Sequence, residues 1–159
     1  MDIKLNTQEG KFKFRVAAII ENGEEILVLN DERSSYTYLP GGHVMLHEST
    51  DEAILREVRE ELKMDLNIIR PLWLNQGFFT EDVSQKRYHE VCMYYLFDGT
   101  DSELIKKGKE FILREGEHTF HFQWVKKSEL KNMYFYPTFL KEKIMNLPET
   151  LQMHMEIED

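Results

Sequence analysis

The longest stretch of this chain with a helical period places three acids on a face that a helix would normally keep mixed in charge. From Ser49 it reads Ser-Thr-Asp-Glu-Ala-Ile-Leu-Arg-Glu-Val-Arg-Glu-Glu-Leu, ending at Leu62. At about 100° of rotation per residue, Ile54, Leu55, Val58 and Leu62 fall in one sector, and Glu57, Glu60 and Glu61 fall in the sector beside it. One face belongs to a core, and the adjoining acidic face is expected at the surface. Ser49 and Glu52 have the spacing of a capping box, so the helix begins near Thr50. Leu39-Pro40-Gly41-Gly42 reads as the turn feeding it, with consecutive glycines that let backbone approach a ligand closely.

An acidic helix face is ordinarily a solvated one. Here Glu57 and Glu61 are like charges one turn apart and Glu60 adds a third, an arrangement that destabilises a helix by a few tenths of a kcal/mol per pair. A bound cation removes that repulsion. Carboxylate oxygens suit Mg2+, with Mn2+ also possible, and a site with few protein ligands keeps positions for water and phosphate.

From Gly42 to Met64 the chain resembles the Nudix box, the signature of the Nudix hydrolases, written G-x5-E-x7-R-E-U-x-E-E-x-G-U with U apolar. Gly42, Glu48, Arg56, Glu57, Val58, Glu60, Glu61 and Met64 fill its fixed positions, and Lys63 stands where the family has glycine. The resemblance implies an α/β fold, a Nudix-like α/β/α sandwich with a mixed sheet. It implies that Glu57, Glu60 and Glu61, joined by the backbone carbonyl of Gly41, hold the metal. Arg56 would hold a box glutamate in place, a role suited to a planar guanidinium. A non-glycine residue in the left-handed conformation at the helix end costs roughly 1 kcal/mol, so Lys63 is expected to alter that end slightly and leave metal binding intact.

The rest of the chain alternates between strands and turns. Phe12 to Ile20 and Glu25 to Leu29 flank the turn signal Asn22-Gly23 as a hairpin. Further strands are expected at Tyr36 to Leu39, Leu66 to Ile69, Leu72 to Phe79, Tyr88 to Phe97 and His121 to Val125, with a second helix from Pro137 to about Asn146. Phe122 to Val125 followed by Glu129-Leu130 also resembles the late strand and short helix of the Nudix fold. No repeat or linker divides the chain. Residues 1–159 read as a single domain, with 148–159 either an acidic tail or a dimer-contacting strand.

The 159 residues, 42% of them hydrophobic, suffice for one core. A net charge of −9 argues against a nucleic-acid scaffold as partner. A small phosphorylated nucleotide remains compatible, because a metal reverses the local field. One cysteine, Cys92, excludes an intrachain disulfide, and the early apolar run Val16 to Ile20 is too short for a signal segment or membrane span. A cytoplasmic monomer or homodimer with no membrane partner is expected. The six histidines read as solvated rather than as a transition-metal site.

The resemblance implies attack of water on one phosphorus of a nucleoside diphosphate linked to a group X, in a nucleotide sugar or a nucleoside triphosphate. Glu57, or a carboxylate outside the box, would act as base. Glu90, an acid amid strand apolar residues, is the first outside candidate, and Glu115 and Glu117 follow. Arg15 and Arg33 are candidates for phosphate, and Tyr36, Phe78 or Phe79 for stacking on a base. The proline that accompanies ADP-ribose specificity in some subfamilies is absent from Gly77-Phe78-Phe79-Thr80. Two alternatives stand beside this reading. One is a house-cleaning pyrophosphatase of oxidised or non-standard nucleotides; the other is a non-catalytic Nudix-fold nucleotide sensor, against which the complete set of box acids weighs.

Overall fold

Alternation of apolar and polar residues builds one large sheet around a strand that is apolar on both faces. The computed structural model describes residues 1–81 and 84–158. Its strands are β1 (Lys4–Asn6), β2 (Lys11–Asn22), β3 (Glu25–Asp31), β4 (Gly41–His43), β5 (Ile68–Thr80), β6 (Arg87–Asp98), β7 (Glu110–Glu115), β8 (His118–Lys126) and β9 (Gln152–Ile157). The helices are α1 (Thr50–Leu62), α2 (Ser102–Ile105) and α3 (Leu140–Lys143), with a 3-10 helix at Lys127–Asn132. The sheet runs β7-β8-β3-β2-β6-β5-β9. β1, β4 and β3 pair with successive parts of β2, while β6 runs parallel along β2 from Lys11↔Tyr88 to Glu21↔Asp98.

Its central position explains why β2 loses its polar alternation after Arg15. Val16, Ala18 and Ile20 pack on one side with Ala53, Ile54, Val58 and Leu62 of α1. Ala17 and Ile19 pack on the other with Leu130, Phe135, Leu140 and Ile144. The sheet is therefore sandwiched between α1 and the segment that carries the 3-10 helix and α3, which is the expected α/β/α arrangement.

The start and end of α1 are set locally. The Glu52 amide donates to Ser49 Oγ at 3.1 Å and the Ser49 amide to Glu52 Oε2 at 3.2 Å, completing the capping box. Tyr95 of β6 ties down the first turn through Thr50 Oγ1 and the Asp51 carboxylate. At the far end Lys63 takes the left-handed conformation (φ 61°, ψ 29°), and its amide donates to the Arg59 carbonyl at 2.9 Å.

Several boundaries differ from the sequence reading. Tyr36 to Leu39 makes only isolated bridges, Leu29↔Tyr38 and Thr37↔Phe135, and the regular strand is Gly41–His43 instead. Pro40 has no amide to continue a ladder, and Gly41 lies so close to β2 that a Cβ would collide with the Val16 carbonyl. The two strands expected at Leu66 to Ile69 and Leu72 to Phe79 are one, β5, which absorbs Pro71 at register shifts. The helix expected from Pro137 shrinks to Leu140–Lys143. Residues 152–157 are not a loose tail: they pair in parallel with β5, while Asp159 lies outside the described residues. β1 and α2, of 3 and 4 residues, are too short for periodicity to have announced them, and the run Phe111-Ile112-Leu113 in β7 breaks the alternation that would have marked a strand. Among the described residues no helix is long and apolar enough to cross a membrane.

Candidate functional site

The helix presents its acids to the end of β4, and Arg56 ties the two together. Arg56 Nε and Nη2 donate to the two oxygens of Glu48 at 2.7 and 2.9 Å. Its Nη1 donates to Glu57 Oε1 at 2.9 Å and reaches Glu60 Oε2 at 3.5 Å, while Nη2 also donates to the His43 carbonyl at 3.0 Å. A bidentate pair fixes orientation as well as charge. The same bond holds the Glu48 carboxyl below its ordinary pKa. Arg56 is thus no loose surface arginine; it fixes where Glu57 points.

Glu61 departs from the expected exposed acidic face. Glu60 is exposed, but Glu61 is only 7% exposed and lies beneath the glycine turn, because adjacent helix positions differ by about 100°. Glu61 Oε1 accepts from the Gly41 amide at 3.2 Å, and Oε2 is buried with no partner. Burial, and then the charge of Glu57, drives the Glu61 carboxyl well above its ordinary pKa. Glu57 is raised by burial too, with Glu60 and Glu115 adding to the effect and Arg56 opposing it. Gly42 makes room for this cluster: a Cβ there would collide with the Glu57 carboxylate.

Among the described residues no three His, Cys, Asp or Glu side chains converge closely enough to enclose a cation. The box acids are drawn apart, Glu57 to Arg56 and Glu61 to the Gly41 amide. The donor chemistry nevertheless fits a hard divalent ion. A buried carboxylate oxygen without a partner is expensive, and a nearby carboxylate raises that cost.

On the face of the sheet opposite α1, strand register assembles a second group of charges. Lys4 pairs with Lys13, Lys13 with Glu90, Arg15 with Cys92 and Arg15 with His43, and cross-strand partners share a face. Burial works against the charge on Arg15, but Glu90, Cys92, Tyr94 and Glu61 outweigh it and raise its pKa. Arg15 therefore lies within electrostatic reach of both Glu90 and the box. Tyr36 belongs to the same neighbourhood: burial raises its hydroxyl pKa, against the pull of Arg15. Its ring meets those of Tyr38, Tyr134 and Tyr136 edge-on, with centroids 6.0, 6.0 and 5.0 Å away. Tyr134 is 59% exposed, a large fraction for a clustered aromatic ring.

The other candidates fall elsewhere. Arg33 is held by Asp31, with Nε and Nη2 each 3.1 Å from its carboxylate, and reaches His118 Nε2 at 3.2 Å, so it secures its own loop. Phe78 stacks on His89 at 4.5 Å on the face of the sheet away from Arg15, and Phe79 stacks on Tyr88 at 5.0 Å. Glu90 faces Arg15 and Lys13 and is not among the leading charges on Glu57 or Glu61. Glu115 is among them: it ends β7 on the face of Phe111 and Leu113, which pack against the core beneath α1. Glu117 is exposed in the following turn.

The sequence reading missed Lys4, Lys11, Lys13, Tyr134 and Tyr136. The alternation Lys11-Phe12-Lys13-Phe14-Arg15 was the available signal, since it puts three cations on one strand face.

A model of the NUDIX domain matches residues 11–143. Among solved structures, the E. coli ORF135 protein is 26% identical over 84% of this chain and 89% of its own, with a TM-score of 0.56. A UDP-X diphosphatase is 21% identical over 84% of this chain and 59% of its own longer chain, with a TM-score of 0.56. An ADP-ribose pyrophosphatase from Streptococcus suis is 15% identical over 90% of this chain and 98% of its own, again with a TM-score of 0.56. At such identities the last two likenesses are ones of fold.

Proposed function

The chain belongs to the Nudix family of pyrophosphohydrolases, and from that premise we propose that it uses Mg2+ to hydrolyse the diphosphate of a nucleoside diphosphate linked to a group X. The observation that carries this reading is the buried Glu61 carboxylate, with one oxygen unpartnered beside Glu57 and under Gly41. Glu57, Glu60, Glu61 and the Gly41 carbonyl would hold the ion. When bound, Mg2+ neutralises phosphate charge and lowers the pKa of its water.

The chain's own residues do the rest. Arg56 fixes Glu57 through the 2.9 Å hydrogen bond and leaves that carboxylate's second oxygen for proton transfer or ligation. Glu115, whose charge reaches both Glu57 and Glu61, is the better-placed outside carboxylate to take the proton of the attacking water. Arg15 meets a phosphate of the substrate, and the nearby charge of Glu90 favours its protonated guanidinium. Tyr36, with Tyr134 and Tyr136, offers the face on which a base stacks. Relatives that act on UDP-X and on ADP-ribose share the fold, and X here spans those classes and nucleoside triphosphates.

The test is a panel of nucleoside triphosphates, nucleotide sugars and ADP-ribose with Mg2+, reading released phosphate or nucleoside monophosphate. Turnover of at least one class that stops on chelation is expected. Binding without turnover across the whole panel, with Mg2+ or Mn2+, would favour the sensor instead.

A further inference from the structure

Cations crowd one end of the sheet in a chain whose net charge is −9. Register puts Lys4 opposite Lys13 and Asn6 opposite Lys11, with Arg15 two residues further along β2 and opposite His43. Together Lys4, Lys11, Lys13, Asn6 and His43 line a cavity of about 360 Å³, within the size range of small-ligand sites. Lys11 and Lys13 both hold their ammonium groups over the Tyr88 ring, 5.5 and 5.1 Å from its centroid. Among the described residues none of Lys4, Lys11, Lys13 or Arg15 has a carboxylate within ion-pair distance.

That arrangement is unfavourable as it stands. Burial, then the charges of Arg15, Lys11 and Lys4, draws the Lys13 ammonium below its ordinary pKa, against the pull of Glu90. In a chain with 29 acids and 20 Lys and Arg residues, acidic partners are plentiful, yet here four cations meet fewer acids, with Glu90 opposite Lys13 and the Asp2 carboxylate 3.7 Å from His43. His43 Nε2 is buried there with no hydrogen-bond partner. An anion with several oxygens would satisfy the ammonium groups of Lys4, Lys11 and Lys13 together. The cavity also adjoins the box: His43 lies two residues from Gly41 on β4, about 7 Å at the rise of a strand, and its carbonyl accepts from Arg56.

We propose that the cavity lined by Lys4, Lys11, Lys13 and His43 is a subsite for a further phosphoryl group of the substrate, beyond the diphosphate held at the box. The group X is then itself a phosphate or polyphosphate, and a neutral sugar leaves the cavity's cations unmatched. This choice of X rests on the hydrolase reading; the anion site itself does not.

Two arms separate these claims, using Lys4→Met/Lys11→Met, which removes two charges and keeps the stems that cover the sheet. Calorimetric titration of tripolyphosphate and of orthophosphate, both in chelator, reads the site without turnover. Tripolyphosphate is expected to bind more tightly than orthophosphate, weaken with salt, and lose at least tenfold in affinity in the variant. Steady-state assays read the ratio of kcat/KM for a nucleoside triphosphate to that for ADP-ribose, expected to fall at least tenfold in the variant. Urea unfolding confirms that the variant folds, and Lys4→Gln/Lys11→Gln replaces it if it does not. No tripolyphosphate binding, or equal affinity in wild type and variant, overturns the subsite. Equal binding of orthophosphate with an unmoved ratio overturns the assignment to substrate and leaves a site for free phosphate. Loss of tripolyphosphate binding in a protein that hydrolyses nothing upholds the anion site and refutes the hydrolase reading.

Discussion

Adding one methyl group at each of two neighbouring glycines should produce opposite losses. A Cβ on Gly42 would come within 3.0 Å of the Glu57 carboxylate, the movable end of a flexible side chain. The carboxylate swings aside and gives up its 2.9 Å bond from Arg56. A hydrogen bond to a charged group is worth about 1.5–3 kcal/mol, and Gly→Ala returns about 0.4–1 kcal/mol by restricting the unfolded chain. Gly42→Ala is therefore expected to cost on the order of 1 kcal/mol, or about 2–4 °C in Tm at this length. Its turnover should fall by about 100-fold, because displacement of a reacting group by an ångström has that effect. On Gly41 the same methyl meets the backbone of Val16 and Ala17, which cannot swing. Overpacking against backbone costs roughly 1–3 kcal/mol or more, and the β2–β4 pairing goes with it, so Gly41→Ala should lose about 3 kcal/mol or more. Urea unfolding and steady-state hydrolysis of the best substrate from the panel read both effects. Full turnover in Gly42→Ala, or a larger stability loss there than in Gly41→Ala, would refute this account of the glycine turn.

Glu60→Gln and Glu61→Gln should each remove most turnover. Glu61→Gln should also raise thermal stability in chelator, since it relieves a buried charge opposed by Glu57; a lower Tm in chelator would contradict that. Lys63→Gly should stabilise by up to roughly 1 kcal/mol, because the residue sits at φ 61°, and destabilisation in a denaturant melt would count against it. Asp31 is a buried carboxylate whose bonds from Arg33 and Tyr38 outweigh its burial and lower its pKa to about 2. The folded pKa lies below the unfolded one, so its contribution, about 2 kcal/mol, is present above pH 4 and is lost as pH falls towards 2. Asp31→Asn should be less stable than wild type at pH 7, with the gap closing between pH 4 and pH 2 in urea midpoints.

Where one stretch of chain carries both the information and the contacts, the sequence alone determined the outcome. The capping box at Ser49, the apolar stripe from Ile54 to Leu62 and the left-handed end at Lys63 are all local, and each stands where its residues require. The pairing of Arg56 with the box acids is nearly local for the same reason, since its partners Glu48, Glu57 and Glu60 lie within a few turns. Tertiary structure decided what depends on strands distant in sequence. That Glu61 is buried under Gly41 follows from where β4 docks on β2. Arg33, already paired with its near neighbour Asp31, is closed off on its other side by His118 from a distant strand, and Phe78 was lost to the far face by the pleat of β5. Likewise Lys4 meets Lys13, and Tyr36 meets Tyr134, only through pairings that bring separate segments together. Periodicity reports which face a residue occupies on its own element; it carries no information about which distant element will lie across from it.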